Sequence, residues 1–181
     1  GFTATITATT AGNHIRNMRL VKDIYESNYT SDPFDPEFIS KVVNKFNTLR
    51  FMDWQHTNNS TQTNWSDRHT PTFYTWADTY KLRPVPVEVM VDLCNRTGTN
   101  AWFCMPHLAT DTYMQQFATY VKNNLNSNLK VYIEFSNECW NWDFAQAQWC
   151  ASQGNALGIN AYQYYAKMSV RMFHIWESVF G

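Results

Sequence analysis

The stretch LKVYIEFSNECWNW, residues Leu129–Trp142, joins an extended apolar run to an abrupt polar ending. Its first part alternates and is rich in β-branched and aromatic residues, which is typical of a strand. The polar letters SNE close the run, and Trp140 and Trp142 come directly after them. We therefore predict a strand over Leu129–Glu138 that brings polar side chains to one edge of a sheet.

Two strands of similar composition precede it, over Thr48–Trp54 (TLRFMDW) and Ala101–His107 (AWFCMPH). Phe2–Thr9 and Ile15–Val21 also alternate enough to predict short strands. Apolar residues at helical spacing separate and follow the strands. Residues that typically start and stop helices predict one from Pro36, after its cap Asp35, one from Pro86 to about Gly98, and one from Thr110 to about Leu125. A last helix is predicted over Asn160–Phe180.

The alternation of strands and helices predicts a parallel sheet with helices outside it, which fits both a doubly wound sheet and a barrel. The connections after Trp54 and Glu138 are long, about thirty and about twenty residues, and both follow strand ends, where α/β folds build their sites. Six glycines and no glycine-rich phosphate turn exclude a dinucleotide fold. We therefore expect an α/β protein that is part of a (β/α)₈ barrel, about strands one to four, over residues 15–181. Residues 1–14 are expected to end a preceding β segment.

The composition excludes several classes of function. A net charge of −1 leaves no basic footprint for nucleic acid or an anionic membrane. No apolar run reaches the ~20 residues of a membrane span, and the start of the chain has no signal-peptide pattern. Both ends look cut. Aromatic residues reach 17%, which favours either an aromatic core or a surface for flat, partly apolar ligands such as sugars.

The cysteines and asparagines carry weaker signals. Cys139 and Cys150 flank one loop and are able to pair, but four reduced, buried thiols explain the count equally well. The histidines show no metal-ligand spacing, so we expect neither a metal nor a cofactor. Acceptor sequences for N-glycosylation predict a secreted protein, although several arise by chance in a chain rich in Asn and Thr; they begin at Asn28, Asn58, Asn59, Asn64 and Asn95.

Polar side chains end each of the three strong strands. Arg50 and Asp53 lie on the first, His107 ends the second, and Glu138 ends the third. A charged side chain on a buried strand is unfavourable unless it is paired. Their convergence favours a site over a structural ion pair, whereas Glu134, further back on the third strand, is expected to belong to an interior polar layer.

The Asn137–Glu138 pair, at the end of an apolar strand and followed by tryptophans, resembles the strand-four Asn-Glu of a large superfamily of (β/α)₈-barrel glycoside hydrolases. Its cellulase-like members also place an Arg on strand two and a His after strand three, which Arg50 and His107 match. The resemblance covers roughly Asn17 to Gly181. It implies that Glu138 is the catalytic acid/base and that Asn137 binds the 2-hydroxyl of the sugar. In that family the nucleophile is a Glu at the end of strand seven, which we expect to lie outside these residues.

The resemblance implies a retaining glycosidase that cuts O-glycosyl bonds of a poly- or oligosaccharide, with Trp54, Trp140 and Trp142 as candidate sugar-binding rings. Two other functions stay open: a carbohydrate-binding module without hydrolysis, and a barrel enzyme that uses Glu138 and His107 as a proton-transfer pair. Since half of a barrel exposes its inner face and two strand edges, the isolated chain is expected to associate and to be inactive.

Overall fold

The computed structural model describes residues 4–16, 18, 20–73, 76 and 84–181. They fall into two compact units, within residues 1–36 and 37–181, and each is described by itself. The described part of the first unit contains one turn of 3₁₀ helix, Asp23–Tyr25, and an isolated antiparallel bridge between Thr10 and Asn13.

The strands predicted in this first unit are not found among its described residues. Residues 4–9, 15, 16, 18, 20 and 21 have no strand, and residues 2, 3, 17 and 19 lie outside the described residues. Ile15, Met18 and Leu20 are exposed. These residues therefore bury no apolar face that would stabilise strand pairing.

The second unit is built on a sheet of three parallel strands within the described residues: β1 Thr48–Arg50, β2 Asn100–Met105 and β3 Val131–Phe135. The strands lie side by side in chain order, β1-β2-β3. Each is shorter than predicted. β2 ends before Pro106, which has no N–H to donate, and β3 ends before Ser136, whose φ is left-handed.

The predicted barrel is wrong. The described residues form an open, all-parallel sheet with β1 and β3 as its two edges, which is a partial α/β fold. The first barrel strand was assigned to Ile15–Val21, which forms no strand in its described residues. The barrel was favoured because long connections follow the strand ends, but open α/β sheets build their sites from the same connections, so this feature does not distinguish the two folds.

Five α-helices occur among the described residues. Their bounds are α1 Pro36–Lys41, α2 Val87–Thr97, α3 Asp111–Asn124, α4 Ala145–Ala156 and α5 Ala161–Phe180. The predicted start signals are confirmed at Pro36 and at Thr110, whose hydroxyl accepts a hydrogen bond from the amide of Tyr113 at 3.2 Å. Gly98 ends α2 with a left-handed φ of 68°, a conformation that glycine adopts without strain.

The last two helices hold two features that the sequence did not predict. The connection after Glu138 was predicted as a loop, but it contains the twelve-residue helix α4. In α5, Tyr162 and Phe173 are exposed, although both are aromatic. The buried stripe is instead spaced by four residues, at Tyr164, Met168, Met172 and Trp176.

The two faces of the sheet differ in what covers them. One face presents Ala101, Phe103 and Phe135 to the helices, where all three are buried. Phe103 packs edge-on against Phe117 of α3 at 5.0 Å between ring centres. The opposite face carries Arg50 beside Trp102 and Tyr132 in register, and the two rings are exposed. The polar side chains of the strands therefore lie on the less covered face.

Candidate functional site

An ion pair lies on the open face of the sheet. Arg50 Nε and Nη2 donate to Glu134 Oε2 at 3.1 and 2.7 Å, and Trp102 Nε1 donates to the same oxygen at 3.1 Å. Partial burial on its own would lower the pKa of Arg50, but the hydrogen bonds to Glu134 and its negative charge outweigh burial and raise the pKa. The guanidinium is therefore held charged and in one orientation.

Asn137 extends this ion pair beyond the end of β3. Arg50 Nη2 also donates to Asn137 Oδ1 at 2.8 Å, and Asn137 Nδ2 donates to Asn58 Oδ1 at 2.9 Å. The side chain is buried. Two of the predicted site residues, Arg50 and Asn137, are thus in direct contact, and the orientation of the Asn137 amide follows from its partners on both sides.

Gln146 of α4 connects the same group to the helix layer. Its Nε2 donates to Asn58 Oδ1 at 2.7 Å and to the Asn137 carbonyl at 2.8 Å, while its Oε1 accepts from the Asn59 amide at 3.0 Å. Gln146 is fully buried. Neither Asn58 nor Gln146 was predicted as a site residue, because a polar residue in an unpredicted helix and an Asn in a polar loop carry no distinguishing pattern.

The backbone around Asn137 is left-handed on both sides, with φ of 56° at Ser136 and 42° at Glu138. A residue with a Cβ pays roughly 1–2 kcal/mol for this conformation. Such residues persist only where their surroundings hold them, and they cluster at functional sites. The turn places Glu138, half-buried, where its Oε2 accepts a hydrogen bond from Asn141 Nδ2 at 2.9 Å.

The three candidate sugar-binding tryptophans have different environments. Trp140 and Trp142, which follow the turn, are 59% and 56% exposed. Trp54 is partly buried and packs against Phe38 and Phe51, with ring centres 6.2 and 5.6 Å away. Trp140 and Trp142, which lie close to Glu138 in the sequence, are therefore accessible to a ligand, whereas Trp54 has a packing role.

The structure places His107 in a different environment. It is 3% exposed, its ring packs edge-on against Trp149 at 5.6 Å, and its Nδ1 is buried with no hydrogen-bond partner in the described part of the chain. It lines a cavity of about 450 Å³ together with residues of α3, α4 and α5, among them Tyr164 and Arg171. Burial lowers the pKa of His107 to about 4, so the imidazole is neutral at pH 7.

Neither Arg50, Asn137 nor Glu138 lines that cavity. The structure therefore brings Arg50 together with Asn137, and Glu138 follows Asn137 on the turn after β3. His107 instead packs against Trp149 of α4. No group of three or more His, Cys, Asp or Glu side chains among the described residues is arranged to hold a metal ion. Within the same residues, no helix is long and apolar enough to cross a membrane.

Comparisons of the chain with models of protein families, with curated proteins and with solved structures found no match. The assignment of a function therefore depends on the residues and geometry of this turn.

Proposed function

We propose that this chain contributes the acid/base half of a retaining glycoside hydrolase site, with Glu138 as the catalytic acid/base. The observation that supports this most is the turn after β3. It presents a half-buried carboxyl on a left-handed backbone, next to a buried, oriented asparagine and two exposed tryptophans. The substrate class is a poly- or oligosaccharide, and the bond cleaved is an O-glycosyl bond.

The proposed role of Glu138 follows from the chemistry of glycoside cleavage. The leaving oxygen needs a proton as its bond to the anomeric carbon breaks, and a water molecule must later lose one. A carboxyl that is partly open to solvent is able to do both. The hydrogen bond from Asn141 Nδ2 fixes one oxygen of Glu138, which leaves the other to approach the substrate.

Asn137 has one donor left for a substrate. Its Oδ1 accepts from Arg50, and one of its two Nδ2 hydrogens goes to Asn58. The second hydrogen has no partner among the described residues, and it supports a hydrogen bond to a sugar hydroxyl. Such a contact to the 2-hydroxyl strengthens in the transition state, so it would contribute to rate more than to binding.

The mechanism needs a second carboxylate as nucleophile, and we propose that it lies outside these 181 residues. Glu134 is the nearest acidic residue in sequence on the same strand. Its Oε2 already accepts hydrogen bonds from Arg50, Trp102 and Cys104. These bonds tie the carboxylate to the open face of the sheet between Arg50 and Trp102, so we assign Glu134 the structural role of holding Arg50.

The proposal is tested in the natural polypeptide that carries residues 1–181, by comparing Glu138→Gln with the wild type. On glycosides with poor leaving groups, which need protonation, kcat/KM is expected to fall by about 10²–10⁴-fold. Activated aryl glycosides, which leave without a proton, are expected to lose much less in the step that cleaves the bond. Glu177→Gln, on the exposed surface of α5, is the matched control and should behave as wild type. Equal losses on both substrate classes would contradict the assignment.

A carbohydrate-binding role without hydrolysis is the second candidate, favoured by the exposure of Trp140 and Trp142. The two candidates predict different results for the same proteins. A binding module releases no sugar from any substrate, and its affinity for oligosaccharides depends on Trp140 and Trp142 but not on Glu138. The glycosidase loses turnover in Glu138→Gln while retaining substrate binding.

A further inference from the structure

Two loops with left-handed backbone conformations meet at the candidate site. In the described part of the chain, four residues other than glycine have a left-handed φ: His56, Asn59, Ser136 and Glu138. The first two lie on either side of Asn58, and the last two lie on either side of Asn137. Such residues persist only where their surroundings hold them, and they cluster at functional sites. The strain is therefore located around Asn58 and Asn137, whose side chains hydrogen-bond to each other at 2.9 Å.

The orientation of the Asn137 amide is fixed from one end by Arg50. A guanidinium is only a donor, and Arg50 Nη2 donates to Asn137 Oδ1 at 2.8 Å. Oδ1 of Asn137 therefore faces Arg50, and its Nδ2 is the group that donates to Asn58 Oδ1.

The other end of this chain of amides is a backbone N–H, which is also only a donor. The Asn59 amide donates to Gln146 Oε1 at 3.0 Å, so Gln146 Nε2 is the group that donates to Asn58 Oδ1 at 2.7 Å. Exchanging O and N in Asn58, Asn137 or Gln146 would set donor against donor or acceptor against acceptor. The amides therefore have a single arrangement, in which both neighbours donate to Asn58 Oδ1.

We propose that Asn58 is a positioning residue of the candidate site, which holds the Asn137 amide so that its second Nδ2 hydrogen meets the 2-hydroxyl of the sugar. Asn58 Oδ1 is the atom at which the bonds from Asn137 and from Gln146 of α4 converge. The inference rests on the proposed function, since it needs Asn137 to contact a sugar.

The effect of Asn58 on the reaction is indirect. Without its Oδ1, Arg50 still holds Asn137 Oδ1, but Asn137 Nδ2 loses its acceptor and the second hydrogen is no longer held in one direction. Because a bond to the 2-hydroxyl strengthens in the transition state, its loss lowers kcat more than it raises KM. The effect of Asn58 therefore depends on a substrate that has a 2-hydroxyl.

The first measurement follows solvent exchange of the Asn137 Nδ2 hydrogens by NMR, in the natural polypeptide that carries residues 1–181. Asn58→Ala is expected to raise the exchange rate at least about tenfold, since the hydrogen-bond acceptor is lost. Asn58→Asp keeps an acceptor oxygen and is expected to stay within about twofold of the wild type. An unchanged rate in Asn58→Ala would overturn the positioning role.

The second measurement compares two substrates that differ only at the 2-position. They are the 4-nitrophenyl β-glycoside that the wild type cleaves fastest, out of the glucoside, galactoside, mannoside and xyloside, and its 2-deoxy counterpart. Asn58→Ala is expected to lower kcat at least about tenfold on the first and less than about twofold on the second, with little change in KM. Asn58→Asp is expected to regain most of the kcat. Asn123→Ala, on the exposed side of α3, is the matched control and should behave as wild type on both.

Failure of the inference and failure of the proposed function give different results. Equal losses of kcat on the two substrates in Asn58→Ala would overturn the inference, because a merely structural role does not depend on the 2-hydroxyl. A wild type that cleaves none of the glycosides would contradict the proposed function, while the exchange rates still decide whether Asn58 holds the Asn137 amide. If Asn58→Ala does not fold, Asn58→Ser, whose hydroxyl is too short to take the place of Oδ1, replaces it in both measurements.

Discussion

The ends of β2 and β3 supply candidate residues from equivalent positions, yet the structure uses them differently. After β3, Asn137 meets Arg50 and stands beside Glu138 on a turn that is held by α4. After β2, His107 turns toward α4 and is buried against Trp149. Position at the end of a parallel strand thus predicts which edge a residue reaches, but not the side of the sheet to which it points.

The largest effect expected from this difference is a pH dependence of stability that depends on His107. Its folded pKa, about 4, lies below the ordinary value of 6.5 because the ring is buried. Between these values the unfolded chain binds more protons than the folded chain, so stability falls as the pH falls from about 6.5 to about 4. The loss attributable to this residue is about 3 kcal/mol. Urea unfolding across this pH range measures it.

His107→Phe is expected to remove that part of the pH dependence, since no imidazole remains to take up a proton. The difference between wild type and variant isolates the residue from the carboxylates that also titrate. If the free energy of unfolding falls by the same amount in both proteins between pH 6.5 and 4, then His107 is not buried as a neutral ring. That result would contradict the difference proposed between the ends of β2 and β3.

The second effect tests the connection between the turn and α4. Gln146→Leu removes donors to Asn58 and to the Asn137 carbonyl, and the acceptor of the Asn59 amide, from a buried position. Leaving such groups unsatisfied is expected to reduce the free energy of unfolding by about 2–3 kcal/mol. Gln148→Leu is the matched control on the same helix. Gln148 is exposed, and its side chain donates to the Trp142 carbonyl, so the loss in this variant should be under about 0.5 kcal/mol.

A smaller effect is expected from the ion pair. Arg50→Ala removes the donor of Asn137 Oδ1 and one of the three residues that donate to Glu134 Oε2, which keeps Trp102 and Cys104. The ion pair that is lost is partly solvated, with side-chain exposures of 34% for Arg50 and 23% for Glu134. We expect a loss of about 1 kcal/mol, with Arg50→Lys restoring only part of it, because a lysine does not present two parallel donors. Arg96→Ala, whose partner Asp92 is one helical turn away, is the control, with an expected loss of about 0.3–0.5 kcal/mol. Equal losses at Arg50 and Arg96 would show that the network adds nothing.

The smallest effect on stability is expected at the exposed rings. Trp140→Ala and Trp142→Ala should each change the free energy of unfolding by less than about 0.5 kcal/mol, since more than half of each ring is already in solvent. Their effect should appear in ligand binding instead, as weaker quenching of tryptophan fluorescence by oligosaccharides. A large loss of stability with unchanged quenching would reassign both rings to packing.

The sequence predicted the parallel strands and most helix starts, because caps and apolar spacing are local signals that the fold obeys. Thr110 caps its helix as expected, since its hydroxyl accepts a hydrogen bond from the Tyr113 amide. Helix α4 escaped prediction because its composition, AQAQWCASQGNA, carries no apolar stripe at helical spacing. The barrel was predicted wrongly because closure of a sheet depends on pairing between strands that are distant in the sequence, and a local pattern does not encode that pairing.

The site was predictable in part for the same reasons. The polar ending of the third strand identified Asn137 and Glu138, and a charged residue on an apolar strand identified Arg50. Asn58 and Gln146 were not predictable, because their importance comes from contacts across 79 to 88 positions of sequence. The orientation of His107 was not predictable either, since nothing in the sequence AWFCMPH indicates to which side of the sheet the side chain after the strand points.

The role of Glu138 is tested most directly by chemical rescue in the natural polypeptide that carries residues 1–181. With an activated aryl glycoside, Glu138→Ala should still form the glycosyl–enzyme but release it slowly, because no base activates water. Azide needs no base, so adding it should raise turnover by at least about tenfold and yield a glycosyl azide of retained configuration. A variant that azide does not accelerate, or that releases only the free sugar at the wild-type rate, would contradict the assignment of Glu138 as the acid/base.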